Sequence, residues 1–176
     1  MKATGVVRRI DDLGRIVIPK EIRRSLRIRE GDSLEIYADN NEAIVLKKYS
    51  PVESIDSFVV QLVESIHSSS KKEIIIVDAE KVIAAAGGFR KDIVGKKIDM
   101  RLDEKLQRRN IQTFEPDENL EVTENLVIKT AAILKPIIVY GDVIGGVIVI
   151  GKESVSEIEK VMVESASTFI TKYLEA

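Results

Sequence analysis

The chain has 176 residues, of which 44% are apolar and 32% charged, with a formal net charge of -2 and a sequence pI near 5.6. That is the balance of a folded globular chain of one or two domains, and no run approaches the roughly 18 apolar residues of a membrane span. Cysteine is absent, which excludes disulfides, thiolate metal sites and cysteine nucleophiles.

The first residues, Met1-Lys2-Ala3-Thr4, lead into Gly5 without the apolar stretch of a signal peptide, so a cytoplasmic chain is expected. GVVRRI (5–10) is β-branched and reads as a strand, DDLG (11–14) as a turn, and RIVIP (15–19) as a second strand. Pro19 stops that strand, and its fixed φ opens a helix over PKEIRRSLRI (19–28), with Ile22 and Leu26 on one face. Gly31 closes the helix, and SLEIYADNNEAIVLKK (33–48) reads as a hairpin turning at DNNE (39–42). Four short strands and one helix in about 50 residues make a poor core. The runs Ile16-Val17-Ile18 and Ile44-Val45-Leu46 are apolar on both faces, which is most simply met by a second copy of the same module.

Charge divides the chain in two. Residues 1–50 hold 11 Lys/Arg against 8 Asp/Glu, and residues 51–176 hold 16 against 21. Within residues 1–29 the count is 9 against 3. Ser50-Pro51 interrupts the strand pattern just before a helical one, which places a boundary between a basic domain, 1–50, and an acidic one, 51–176.

The acidic domain opens with a helix over ESIDSFVVQLVESIHSSS (53–70), where apolar residues recur at steps of three and four. KEIIIVDAEKVIAAAGG (72–88) reads as a hairpin turning at Asp78-Ala79-Glu80. Residues 89–110 are helical in patches broken at Gly95, and residues 120–154 contain two or three strands, the last two joined at YGDV (140–143). A long helix ends the chain, with Val155, Ile158, Val161, Met162, Phe169, Ile170 and Tyr173 as one stripe. The expected class is α+β, an antiparallel sheet with flanking helices.

The pattern GxVRxIDxLGRIVIPxEIRRxLxIxxGDxLEIY runs almost unbroken through the first 50 residues, with Gly14, Arg15, Pro19, Arg23, Arg24, Gly31 and Asp32 in register. This stretch resembles the DNA-binding domain of the AbrB family of bacterial transition-state regulators. The resemblance implies a swapped-hairpin barrel formed by an intertwined dimer of residues 1–50. It implies a DNA-binding transcription regulator of sporulation genes, both activator and repressor, associated with the nucleoid. Arg8, Arg9, Arg15, Lys20, Arg23 and Arg24 fall on the family's basic DNA-contacting positions. Arginine suits this work because its planar fork is permanently charged and can read guanine edges as well as phosphates. PIIVYGDVIGGVIVIGK (136–152) resembles the last hairpin of GAF domains, which implies a GAF-like sensor and oligomerisation domain in 51–176. Its pocket for a small effector is expected within residues 85–130, and the effector-binding residues are left open.

No catalysis, metal or cofactor is expected. One histidine, His67, cannot build a metal cluster, and as a phosphoacceptor it lacks a kinase partner. AAAGGF (84–89) lacks the GKS/T tail of a phosphate loop, and Lys96-Lys97 and Arg108-Arg109 read as solvated faces that could help hold an anion. The helices at 54–68 and 155–174 are expected to pack between subunits, so that C-terminal domains join the N-terminal dimers into a tetramer. The alternative is a small-molecule sensor or antitoxin-like interaction protein whose basic face binds a non-DNA acidic partner.

Overall fold

The computed structural model describes residues 5–40, 42–88 and 90–176. It divides into unit 1, Met1–Tyr49, and unit 2, Ser50–Ala176.

In unit 1, helix α1 (Lys20–Ser25) is followed by the antiparallel pair β1 (Leu34–Ala38) and β2 (Ile44–Lys48), in register from Leu34↔Lys48 to Ala38↔Ile44. The expected turn at 39–42 lies between them, with residue 41 outside the described residues. The expected turn at 11–14 is present: the Gly14 N–H donates to the Asp11 carbonyl and the Asp11 N–H to the Arg15 carbonyl, each at 3.0 Å. The flanking segments 5–10 and 15–19 differ from expectation, because neither is paired as a strand.

The helix is also shorter than the 19–28 expected. It stops at Ser25 because Arg27 takes a left-handed φ of +54°. The Ile28 N–H then donates to the Arg23 carbonyl (2.7 Å) and the Arg27 N–H to the Arg24 carbonyl (3.2 Å), the paired closure of a Schellman motif. Lys48, whose side chain is 9% exposed, holds this end from β2. Its Nζ donates to the Arg27 carbonyl at 2.8 Å and pairs with Asp32 at 3.1 Å. Among the described residues of unit 1, Pro19 alone is buried. Val7 (84% exposed), Val17 (73%) and Ile44 (73%) stand in the open together with Ile10, Leu13, Ile16 and Ile36.

Unit 2 is built around a five-stranded antiparallel sheet in the order β4-β3-β9-β8-β5. Its strands are β3 (Glu73–Asp78), β4 (Val82–Ala86), β5 (Gln112–Phe114), β8 (Ala132–Val139) and β9 (Asp142–Ile150). A separate pair, β6 (Leu120–Thr123) and β7 (Leu126–Ile128), completes the strands. The helices are α2 (Asp56–Ser70, entered through a 3-10 turn at Glu53–Ile55), α3 (Arg90–Ile93), α4 (Met100–Leu106) and α5 (Glu157–Glu175). The segment 120–154, expected to hold two or three strands, holds four, β6 to β9, and β5 precedes it at Gln112–Phe114.

Strand periodicity sends alternate residues of the sheet into two cores. Ile74, Ile76, Ile133, Val147 and Val149 join Val59 and Val63 of α2 and Val163, Ala166 and Ile170 of α5. Ile75, Val77, Leu134 and Ile148 join Leu102 and Leu106 of α4, Phe114 of β5, Leu120 and Val122 of β6 and Ile128 of β7. The last hairpin closes at Tyr140 (φ +47°) and Gly141 (φ +87°); positive φ at both central residues is what a two-residue type I′ loop demands. On β9, a Cβ at Gly145 would lie 2.1 Å from the Val77 carbonyl oxygen.

Helix α5 divides its apolar residues between two faces. Its buried positions are Glu159, Val163, Ala166, Ser167 and Ile170, whereas Ile158, Val161, Phe169 and Tyr173 are exposed. Phe58 of α2 stacks on both Phe169 and Tyr173, at 5.4 and 4.6 Å between ring centroids. Buried Glu159, 1% exposed, sits at N3 of a capping box with Ser156 and pairs with Lys72 Nζ at 2.5 Å. Burial works to raise its pKa, but the bonds from Lys72 and Ser156 prevail and lower it from 4.5 to about 2.

Two outcomes follow from this packing. Gly145→Ala is expected to destabilise unit 2 by more than ~2 kcal/mol, because the obstruction is backbone and cannot rotate away; thermal melting followed by circular dichroism reads it. Glu159→Gln is expected to cost about 2–3 kcal/mol at neutral pH. The depressed carboxylate adds stability in full above pH 4.5 and loses it as pH falls to about 2, so the gap between wild type and variant in denaturant melts should close over that range.

Candidate nucleic-acid interface

The basic residues of unit 1 fall into two groups set by local geometry. Arg8, Arg9 and Arg15 flank the 11–14 turn, and Lys20, Arg23 and Arg24 lie on α1. Helical spacing puts Lys20 on one side of α1 with Arg23 and Arg24, three and four residues on. Arg8, Arg9, Lys20 and Arg24 are exposed. Arg8 Nη1 makes a long contact of 3.4 Å to the Val7 carbonyl.

Arg15 is held. Its Nε donates to Asp11 Oδ2 at 2.8 Å while the rest of its side chain is 70% exposed. The other carboxylate oxygen of Asp11 accepts the backbone N–H groups of Arg15 (2.8 Å) and Leu13 (3.0 Å). The Arg15 backbone N–H, then the Arg15 side chain, hold the Asp11 carboxyl below its usual pKa against a small opposing effect of burial. Asp11 thus fixes the turn and the direction of Arg15 together. The ion pair of Asp11 with Arg15 is one of the pairings with nearby acids that the sequence allows for the arginines of this segment.

Arg23 is half-buried, and its Nε is enclosed without a hydrogen-bond partner. Both Arg23 and Arg24 occupy the last turn of α1, where a cation also suits the carbonyl end of the helix. The contribution of Lys48 and Asp32 to holding that end has no local signal, since Lys48 lies 21 residues from Arg27.

In unit 2, the segment 85–130, expected to build an effector pocket, contributes Leu102, Leu106, Phe114, Leu120, Val122 and Ile128 to a packed core. Arg101 pairs with Asp99 and Glu121, so it is no free cation for a ligand. Among the described residues no cluster of His, Asp and Glu could hold a metal ion, and no helix is long and apolar enough to cross a membrane.

Two families match successive parts of the chain. Residues 7–54 match the family described as antidote-toxin recognition MazE, bacterial antitoxin. Residues 54–175 match the family described as stage V sporulation protein T C-terminal, transcription factor. The transition state regulatory protein AbrB of Bacillus subtilis (strain 168) is 63% identical over 51 residues, covering 29% of this chain and 52% of AbrB. Stage V sporulation protein T of the same organism is 38% identical over 177 residues, covering 99% of both chains. Residues 122 to 287 of a methyl-accepting chemotaxis protein share the fold of unit 2, with a TM-score of 0.55 at 14% identity over 68% of this chain and 88% of that one. An AbrB-like basic module followed by a domain of this kind defines a class of bacterial transcription factors. The chain belongs to the stage V sporulation protein T family.

The Asp11–Arg15 contact separates positioning from charge. Asp11→Asn removes one negative charge from a basic surface, which by field alone would strengthen DNA binding. The expected result is weaker binding to a preferred site and a smaller preference over random duplex, read by competition anisotropy.

Proposed function

We propose that the chain binds duplex DNA through Arg8, Arg9, Arg15, Lys20, Arg23 and Arg24 of a dimerised unit 1. In this reading it regulates transcription of sporulation genes as both activator and repressor, with residues 51–176 as a GAF-like sensing and oligomerising domain. The observation that carries the reading is the combination in unit 1 of exposed arginines with apolar strand residues that the single chain leaves uncovered.

Energetics favours the dimer. Fully covering a Val, Leu or Ile contributes about 1.5–3 kcal/mol. Val7, Ile10, Leu13, Val17, Ile36 and Ile44 from each of two chains offer a gain of the same order as the roughly 4–15 kcal/mol cost of association. Segments 5–10 and 15–19 gain ladder partners if a second chain interlaces with the first, as in a swapped-hairpin barrel. Doubling the arginines then presents basic surface to two stretches of duplex.

The exposed row on α5, Ile158, Val161, Phe169 and Tyr173, with Phe58 beside it, supports a second contact between copies of unit 2 and hence a tetramer. The match of residues 7–54 to an antitoxin family favours a second reading, in which unit 1 or its neighbour masks a protein partner. The two buried cores of unit 2 speak against that one, because a masking tail would be extended rather than packed on itself.

Fluorescence anisotropy of a labelled A·T-rich duplex across a salt series tests the proposal. Neutralising roughly eight phosphates should cost about three to five decades of affinity between 50 and 200 mM salt. Arg23→Ala/Arg24→Ala should abolish that binding, and Arg24→Ala alone should weaken it while leaving the melting curve of the dimer nearly unchanged. Salt-independent binding, or none at low salt, would sink the arginine face as a DNA surface.

A further inference from the structure

Unit 2 also contains a cleft of about 280 Å³ at one end of the sheet, where the C-terminus of α2, the start of β3 and the ends of β4 and β9 meet. Helix α2 gives way to β3 through Lys71 in the left-handed conformation (φ +60°), and His67 Nδ1 locks that corner by donating to the Lys72 carbonyl at 2.7 Å. Gly87, at φ +128°, passes so near Glu73 that a Cβ there would lie 2.6 Å from Glu73 Cγ. His67, Lys71, Lys72, Glu73, Gly88 and Lys152 all line the cleft.

The charges in this cleft do not cancel. Glu159 behind it is occupied by Lys72 and Ser156. Glu73 Oε1 accepts the Gly88 N–H at 2.9 Å. Among the described residues, Lys71 and Lys152 form no ion pair, and both are exposed. Glu73 keeps its negative charge, since a backbone N–H does not neutralise it, but Lys71 and Lys152 together outweigh it, so the cleft stays net positive in the half of the chain that carries the excess of acid.

We propose that this cleft binds a small phosphate-bearing anion, held by the ammonium groups of Lys71 and Lys152 beside the His67 imidazole. Ammonium groups act on phosphate as point charges, and glycines let a compact anion approach the backbone. The volume is at the bottom of the range for small-molecule pockets, which suits pyrophosphate or a short phosphomonoester rather than a nucleotide. An anion seated there also faces Lys72, the cation that Glu159 uses while capping α5, so occupancy bears on the helix that carries the exposed apolar row. The site does not depend on the DNA reading; only the use made of α5 does.

His67 is the chain's single histidine, so its imidazole resonance reports this cleft alone in the full-length protein. Titration with pyrophosphate at pH 7 and constant ionic strength should shift that resonance to saturation. Lys71→Ala/Lys152→Ala should weaken the apparent affinity by about tenfold or more while preserving the melting curve. Arg23→Ala/Arg24→Ala should leave the titration unchanged, which separates this site from the arginine face. A shift that never saturates, or one indifferent to loss of the two lysines, overturns the site. Equal saturation by succinate overturns its assignment to phosphate.

Discussion

Ile74, Ile75, Ile76 and Val77 are all fully buried, so strand β3 has no side that can meet water. A sheet with such a centre must be covered on both faces, and helices α2 and α5 take one while α4, β6 and β7 take the other. The glycines of β9 follow from the same demand, since β9 must come within contact of β3 and of Leu106 beneath it. Even the capping box of α5 belongs here, because Glu159 is drawn under the helix and needs Lys72 to make its burial tolerable.

Unit 1 meets the opposite situation. Its apolar side chains are as β-branched as those of unit 2, but a short chain cannot fold back far enough to cover them. Local devices hold it instead: an Asp11-centred turn, a Schellman closure and the reach of Lys48 across to the end of α1. These fix where individual arginines point without needing a core. The two units therefore treat apolar surface differently, one leaving it uncovered and the other enclosing it.

What could be read from the residues depended on whether the signal was local. The helix at α2 and the hairpins at β1–β2, β3–β4 and β8–β9 are each written in a short window of periodicity and turn residues, and they form as expected. On α5 the apolar stripe is legible, but periodicity alone does not say that Val163 and Ala166 face inward while Val161 and Phe169 face outward. Strands β5, β6 and β7 are three or four residues long, too short for alternation to register. Of the basic site, the arginines were legible by charge and pattern. The reach of Lys48 to the end of α1 was not, because it acts across 21 residues.

The reach of Lys48 has a bearing on how the basic unit comes into being. A six-residue helix is far below the length that persists alone in water, and its last carbonyls are secured by an ammonium group from the end of β2. As the polypeptide emerges during synthesis, the arginines of α1 appear well before the residue that steadies them. The nascent segment is thus charged before it is shaped, and it acquires its recognition geometry only once the hairpin has closed.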